Sequence, residues 1–379
     1  MDFDLSDEQR LLKDSVDRLI ADRYGFENRK KYLAEPAGYP PALWARYAEL
    51  GLLGLPFPEA LGGFGGGPVE TMIVMEAFGR GLILEPYLAT VVLGGGLIRR
   101  LASVPQQDAW IPRIAAGTLR LAFAHLERQA RWNLADVATV ARRDGDAWVL
   151  DGAKGVVLHG DSADRLLVTA RVAGARTERK GIGLFLLDPA APGVNRRGYP
   201  TQDSLRAAEI ALDGARAEAV LGEPDGALPA IEAAVDAAIA ALCAEAVGAM
   251  GALQALTLDY LKTRKQFGRP IGSFQAVQHR AVDMLTAVEQ ARSMALFATM
   301  MAEEPDPTER ARALAAAKAQ IGRSARQVGQ EAIQLHGGIG MTMEYAAGHY
   351  FQRLTMIDQT FGDADQHLAK LAALGGLFR

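Results

Sequence analysis

The stretch Asp144-Gly-Asp-Ala-Trp-Val-Leu-Asp-Gly152 decides the fold class, because here the chain changes period. Two hairpin-type dipeptides, Asp144-Gly145 and Asp151-Gly152, bracket the apolar run Trp148-Val149-Leu150. Further strand-like runs follow at Arg165–Thr169, Ile182–Leu187 and Ala208–Leu212, the last closing at Asp213-Gly214. Strands this short and close, with no helix between them, predict a compact β-barrel or sandwich and argue against a doubly wound parallel sheet.

On both sides the helical period takes over. Ser6 with Gln9 is a capping-box signature, and Leu11, Leu12, Val16, Leu19 and Ile20 share one face behind it. Pro40-Pro41 opens a helix carrying Leu43, Trp44, Tyr47 and Leu50 and ending at Gly51. Val69–Gly79, Leu88–Leu101 and Pro112–Gly117 read as further helices. Beyond Leu228 the helices are long: Ile231–Lys262, Phe274–Glu303, Thr308–His336 and Asp365–Leu374, with Glu304-Pro-Asp-Pro307 as the sharpest linker. Long helices with short connections predict a bundle. The expected architecture is α+β multidomain: an N-terminal helical domain over 1–118, a middle β domain over 119–225 and a C-terminal four-helix bundle over 226–379.

Composition removes several kinds of function. The 379 residues are 49% hydrophobic, with 41 Lys+Arg against 45 Asp+Glu. That apolar share excludes a disordered chain, and the interspersed, slightly acidic charge excludes a nucleic-acid partner. A single cysteine allows no internal disulfide, which points to a reducing, cytoplasmic setting. The acidic start lacks the positive charge of a signal peptide. The apolar stretch Leu84–Ile98 is broken by Glu85, Pro86 and Gly94-Gly95-Gly96, so no membrane partner is expected. No two of the six histidines stand four apart, and no metal site is predicted. Cys243, in an apolar helix, reads as core. Gly62–Gly67 is not preceded by a strand and is followed by Pro68, so it reads as a turn between helices and not as a phosphate loop. The reactive group of any catalysis is therefore borrowed.

Two segments carry more specific chemistry. In Thr263-Arg-Lys-Gln-Phe-Gly-Arg-Pro-Ile-Gly-Ser-Phe-Gln275, Arg264 offers a fork for phosphate oxygens, Phe267 an aromatic face and Gln275 an amide. In Gln334-Leu-His-Gly-Gly-Ile-Gly340 the glycines end a helix and let backbone approach a ligand closely. With Pro58-Glu-Ala-Leu-Gly-Gly63, these segments resemble the P-E-x-x-G-G, R-x-x-F-G-x-x-I and Q-x-x-G-G-x-G motifs of the acyl-CoA dehydrogenase family, over nearly the whole chain. The sequence is most similar to the small subunit of two-component enzymes of the pimeloyl-CoA dehydrogenase kind.

The resemblance implies the helix–β–helix fold, FAD, an acyl-CoA substrate oxidised to the 2-enoyl-CoA, and an electron-transferring flavoprotein as acceptor. It places Arg264, Phe267, Gln275, Gln334, Gly337 and Gly338 on FAD across a subunit interface. Pimeloyl-type systems imply medium or dicarboxylic acyl chains, with steroid side chains as the alternative.

The other half of the family pattern departs. The family's Y-E-G-T falls on Phe361-Gly362-Asp363-Ala364, which puts Gly362 where the catalytic glutamate belongs. T-E-P-G-x-G-S-D falls on Leu126–Asn133, and W-x-T on Val156-Val157-Leu158. Asp363 is one candidate base; Glu232, Asp236 and Glu245 on the Ile231–Lys262 helix are others. The expectations are a half-site subunit paired with a homologous large subunit, a self-sufficient dimer of dimers using Asp363 or another carboxylate, or a flavin-free scaffold.

Overall fold

The computed structural model describes residues 4–377. Its helices are α1 (Asp7–Arg23), α2 (Phe26–Tyr32), α3 (Pro41–Glu49), α4 (Pro68–Gly81), α5 (Gly96–Leu101), α6 (Val104–Ala115), α7 (Leu228–Thr263), α8 (Gln275–Met301), α9 (Pro307–His336), α10 (Ala346–Gln359) and α11 (Ala364–Ala373). Its strands are β1 (Leu121–Ala124), β2 (Val140–Asp144), β3 (Ala147–Leu158), β4 (Arg165–Arg171), β5 (Ile182–Leu187), β6 (Val194–Pro200), β7 (Arg206–Arg216), β8 (Ala219–Leu221), β9 (Lys265–Gln266) and β10 (Arg269–Pro270). The chain forms two compact units, and they cut across the first 118 residues: one takes the chain up to Lys31, Pro68–Ile83 and Ile239 onward, the other Tyr32–Gly67 and Leu84–Ala238.

The second unit is built on one eight-stranded sheet in the order β6-β7-β3-β2-β4-β5-β8, with β1 parallel on β4. Asp144-Gly145 does turn the chain: Asp144 pairs with Ala147, and Gly145 has φ +61°. Asp151-Gly152 does not. β3 runs through it to Leu158 with a register shift at Gly152, whose Cβ would lie 2.6 Å from Thr139 Oγ1. A bulge and a turn draw on the same residue for different reasons: Gly145 supplies a left-handed φ, and Gly152 leaves room for Thr139. Leu150, Leu166, Phe185 and Ile210 fill the sheet's core.

The helix expected over Leu88–Leu101 is present, as a π-helix over Leu88–Gly95 that runs directly into α5. The Pro112–Gly117 helix is the end of the longer α6, with Pro112 inside it. The Gly62–Gly67 turn is pinned by backbone bonds from Phe64 to Gly54, Gly65 to Phe57 and Gly66 to Leu55.

In the first unit Ser6 and Gln9 cap α1 reciprocally. Helix α10 lies in a stretch that the periodicity leaves unassigned. Gly79 of α4 and Gly248 of α7 permit a crossing without side chains between: a Cβ on Gly79 would lie 1.9 Å from the Glu245 carbonyl oxygen, and one on Gly248 1.8 Å from that of Glu76. Helix α7 is long enough and apolar enough to span a bilayer by composition, with mean hydropathy 1.7 over its most apolar window, but 89% of that window is buried in the protein. Its apolar character is that of a core helix.

Candidate functional site: an exposed clamp and a capped loop

The two specific segments are joined by aromatic contact. Helix α7 ends at Thr263, and the Arg264 amide still donates to the Tyr260 carbonyl (2.8 Å). The chain then makes the hairpin β9–β10, whose two-residue turn places Phe267 at φ +54° and Gly268 at φ +79°. That turn throws Phe267 outward to 89% exposure, edge-on to Phe274, over which Arg269 stacks at 4.0 Å. Helix α9 ends where Gly337 (φ +62°) leaves the helix and donates to the Gln334 carbonyl. The buried His336 ring lies 4.7 Å from Tyr260 and 5.1 Å from Tyr345, so the end of α7 and the end of α9 share one stack.

Arg264, Phe267, Gln275, Gln334, Gly337 and Gly338 are all exposed. Among the described residues, the side chains of Arg264, Gln275 and Gln334 make no hydrogen bond or ion pair. A Cβ on Gly337 or Gly338 would meet nothing within 4 Å. An uncommitted guanidinium, two uncommitted amides, an aromatic face and bare backbone suit a dinucleotide with a charged pyrophosphate. The donor set therefore fits FAD.

The loop between α10 and α11 holds no free acid. Asp363 is the N-cap of α11, its carboxylate accepting from the Gln366 amide at 2.9 Å. This use accounts for the side chain structurally. Glu245 is buried and paired with Arg353 by two bonds of 2.6 and 2.8 Å. Glu232 is held by Arg179 at 2.7 and 2.9 Å, and Asp236 is buried. Cys243 is buried, which pushes its thiol up to about 12 and leaves it inert, as a core residue should be. Among the described residues no cluster of His, Cys, Asp or Glu could hold a metal ion.

Within the second unit, the segments at Leu126 and Val156 are tied together through backbone and a buried ion pair. The Gly155 amide donates to the Leu126 carbonyl (2.9 Å), and the buried Lys154 ammonium bonds Glu127 (2.6 Å) and Thr169 (2.9 Å). Burial would raise the Glu127 carboxyl, but the Lys154 charge and its hydrogen bonds outweigh this and hold it down at about 2. Burial brings Lys154 down to about 8 against the pull of Glu127, so the pair is charged at neutral pH. Val156, with φ +47° and 40% exposure, is a β-branched residue in left-handed backbone, a strained conformation.

Comparison with known proteins fixes the class. Residues 6–118, 122–214 and 228–373 match, in turn, the N-terminal, middle and C-terminal domains of acyl-CoA dehydrogenases. The chain is 32% identical over 351 residues to the acyl-CoA dehydrogenase FadE12 of Mycobacterium tuberculosis, covering 90% of this chain and 88% of that one. It is 30% identical to the probable acyl-CoA dehydrogenase YngJ of Bacillus subtilis, over 91% and 92% of the two chains. Among solved structures, it superposes on the Tcur3481–Tcur3483 steroid ACAD variant with a TM-score of 0.87, 31% identity and 97% coverage of both chains. The ChsE4–ChsE5 complex of Mycobacterium tuberculosis gives 0.87, 25% and 98% of both. This chain belongs to the acyl-CoA dehydrogenase family. The family is one of FAD-binding oxidoreductases that act on CH–CH bonds.

Proposed function

We propose that this chain is the half-site subunit of a two-chain acyl-CoA dehydrogenase. It lends Arg264, Phe267, Gln275, Gln334, Gly337 and Gly338 to an FAD held chiefly by a homologous larger subunit, which also supplies the base. The observation that carries the reading is the contrast between this open, uncommitted clamp and the glycine at 362, the position where the resemblance places the family's glutamate. The likeness to two solved relatives named as chain pairs, Tcur3481–Tcur3483 and ChsE4–ChsE5, supports it.

In this reading Arg264 would bind the charged pyrophosphate, the bare backbone at Gly337-Gly338 would let the cofactor approach, and Phe267 would shield it from water. The chemistry supplied by bound FAD would be that of an acceptor for hydride from the substrate's β-carbon. The α-proton goes to a carboxylate of the partner, since this chain presents none at 362. An electron-transferring flavoprotein then takes the electrons. Among acyl groups, the likeness to a steroid enzyme favours a bulky thioester.

The test is purification of the chain alone and after co-expression with a homologous acyl-CoA dehydrogenase chain from the same source. Little flavin alone and about one flavin per two chains in the complex is the expected outcome. A lone chain carrying stoichiometric FAD that is bleached by acyl-CoA would overturn the proposal.

A further inference from the structure

The α10–α11 loop is held in a conformation that leaves no room for a side chain at 362. Phe361 has φ +60° and Gly362 φ +110°, two consecutive residues in backbone that side chains disfavour. A Cβ on Gly362 would lie 2.9 Å from His367 Nε2, 3.1 Å from His367 Cδ2 and 3.3 Å from Gln366 Cγ.

The surroundings hold that conformation from below. The Lys318 ammonium, fully buried on α9, donates to three carbonyls: Ile357, Asp358 and Gly362, each at 2.8 Å. Its three protons are thus all used, which is how a buried ammonium is tolerated. The His367 ring, also buried, bonds the Phe361 carbonyl through Nε2 at 3.0 Å, so Nε2 carries the proton. Asp358 Oδ1 accepts from the Ala364 amide, and Asp363 caps α11. The carbonyls of both left-handed residues and the start of the next helix are all committed.

We infer that His367, fixed with Lys318 against the backbone of Phe361 and Gly362, occupies the space from which a side chain at 362 would leave, so that this chain is built to exclude a base there. His367 and Lys318 are positioning residues of a closed loop. The inference rests on the half-site reading, and its consequence is that a carboxylate placed at 362 by a single substitution would have to displace His367.

A double-substitution cycle on the isolated full chain tests this, read by thermal unfolding and by amide hydrogen exchange over 357–367. Gly362→Ala is expected to lower Tm by several degrees and to speed exchange across the loop. His367→Ala lowers Tm too, through the lost ring and the bared Phe361 carbonyl. In the double variant the loss should be clearly smaller than the sum of the two, because the alanine methyl enters vacated space. Additive losses, or a Gly362→Ala chain as stable as the parent, would overturn the inference. A third variant, Lys318→Met, should speed exchange at Gly362 and Asp363 while leaving distant helices protected; unchanged exchange there would refute the anchoring role of Lys318. None of these readouts needs flavin or a second subunit. A lone chain that proved to be a complete enzyme would sink the half-site reading and leave these results standing, and the converse holds as well.

Discussion

The rings of Tyr260 and His336 lie 4.7 Å apart, and this one contact brings two motif segments distant in sequence to a common rim. Tyr345 completes a three-ring cluster, 5.1 Å from His336 and 6.4 Å from Tyr260. A ring at 336 is what the stack needs, not a basic group: burial holds the imidazole below its ordinary range, and Nδ1 is occupied by the Ala332 carbonyl. His336→Ala should weaken flavin binding in the assembled enzyme roughly fivefold, the equivalent of about 1 kcal/mol for a lost aromatic pair. His336→Phe should retain most of it. Equal losses in both variants, by flavin titration, would show that the imidazole nitrogen matters and the stack does not.

Arg264 is the residue on which the clamp depends most, being its one formal charge. Arg264→Ala should cost roughly ten- to a hundredfold in flavin retention, from about 1.5–3 kcal/mol for hydrogen bonds to a charged group. Arg264→Lys should recover only part, since an ammonium keeps the charge and loses the fork. Full flavin occupancy in the alanine variant would mean the phosphates lie elsewhere.

Asp363 separates a cap from a base. Asparagine caps as well as aspartate does, so Asp363→Asn should leave both stability and turnover of the competent assembly near wild type, whereas Asp363→Ala should lose about 1 kcal/mol of stability. Abolished turnover in a fully stable Asp363→Asn enzyme would make it the base after all.

Glu245 is a structural partner of Arg353 in this account. Glu245→Gln leaves a buried guanidinium without its counter-charge and should destabilise the chain by about 3–5 kcal/mol in urea unfolding. A stable Glu245→Gln protein that had lost only turnover would restore Glu245 as a candidate base.

Acid should weaken the fold before its carboxylates titrate. Burial, then the Lys318 and Lys370 charges, bring the His367 imidazole down to about 3. His349 is lowered too, by burial and by Arg29 and Lys30, with its Nδ1 facing the Arg29 guanidinium at 3.2 Å and its Nε2 on the Met343 carbonyl. An unfolded histidine titrates near ~6.5, above these folded values, so as pH falls the unfolded state gains the proton first. The stabilisation is therefore complete above ~6.5 and declines progressively below it. Urea midpoints should drop between pH 7 and pH 5, and His367→Phe should flatten part of that slope. A flat profile across this window would contradict neutral burial.

What the sequence disclosed and what it hid follow one physical line. Turn and cap chemistry is local, so Asp144-Gly145 and the Ser6–Gln9 box can be read from neighbours alone. Gly152 misleads because its reason lies in Thr139, the residue just before β2. The division of the first 118 residues between two units depends on contacts with residues past 238, which no local pattern encodes. At the site, Arg264 and Gln334 stand out by residue type. The stack that joins them does not, since Tyr260, His336 and Tyr345 each look unremarkable at their own positions. Lys318 is the residue most thoroughly missed. A lysine in an alanine-rich helix reads as a solvated face, and only the loop above it shows what its three protons are for.

The crossing of α4 and α7 at Gly79 and Gly248 has a consequence for anyone building chimaeras within this family. Each glycine is accommodated by the backbone of the opposite helix, so the two helices form a matched pair. A hybrid that took its N-terminal portion from one relative and its bundle from another would inherit one member of the pair without the other. A single methyl group at either position would be enough to force the helices apart, and Arg353, clamped to Glu245 beside the crossing, would move with them. Viable recombination points are those that keep both helices with the same parent.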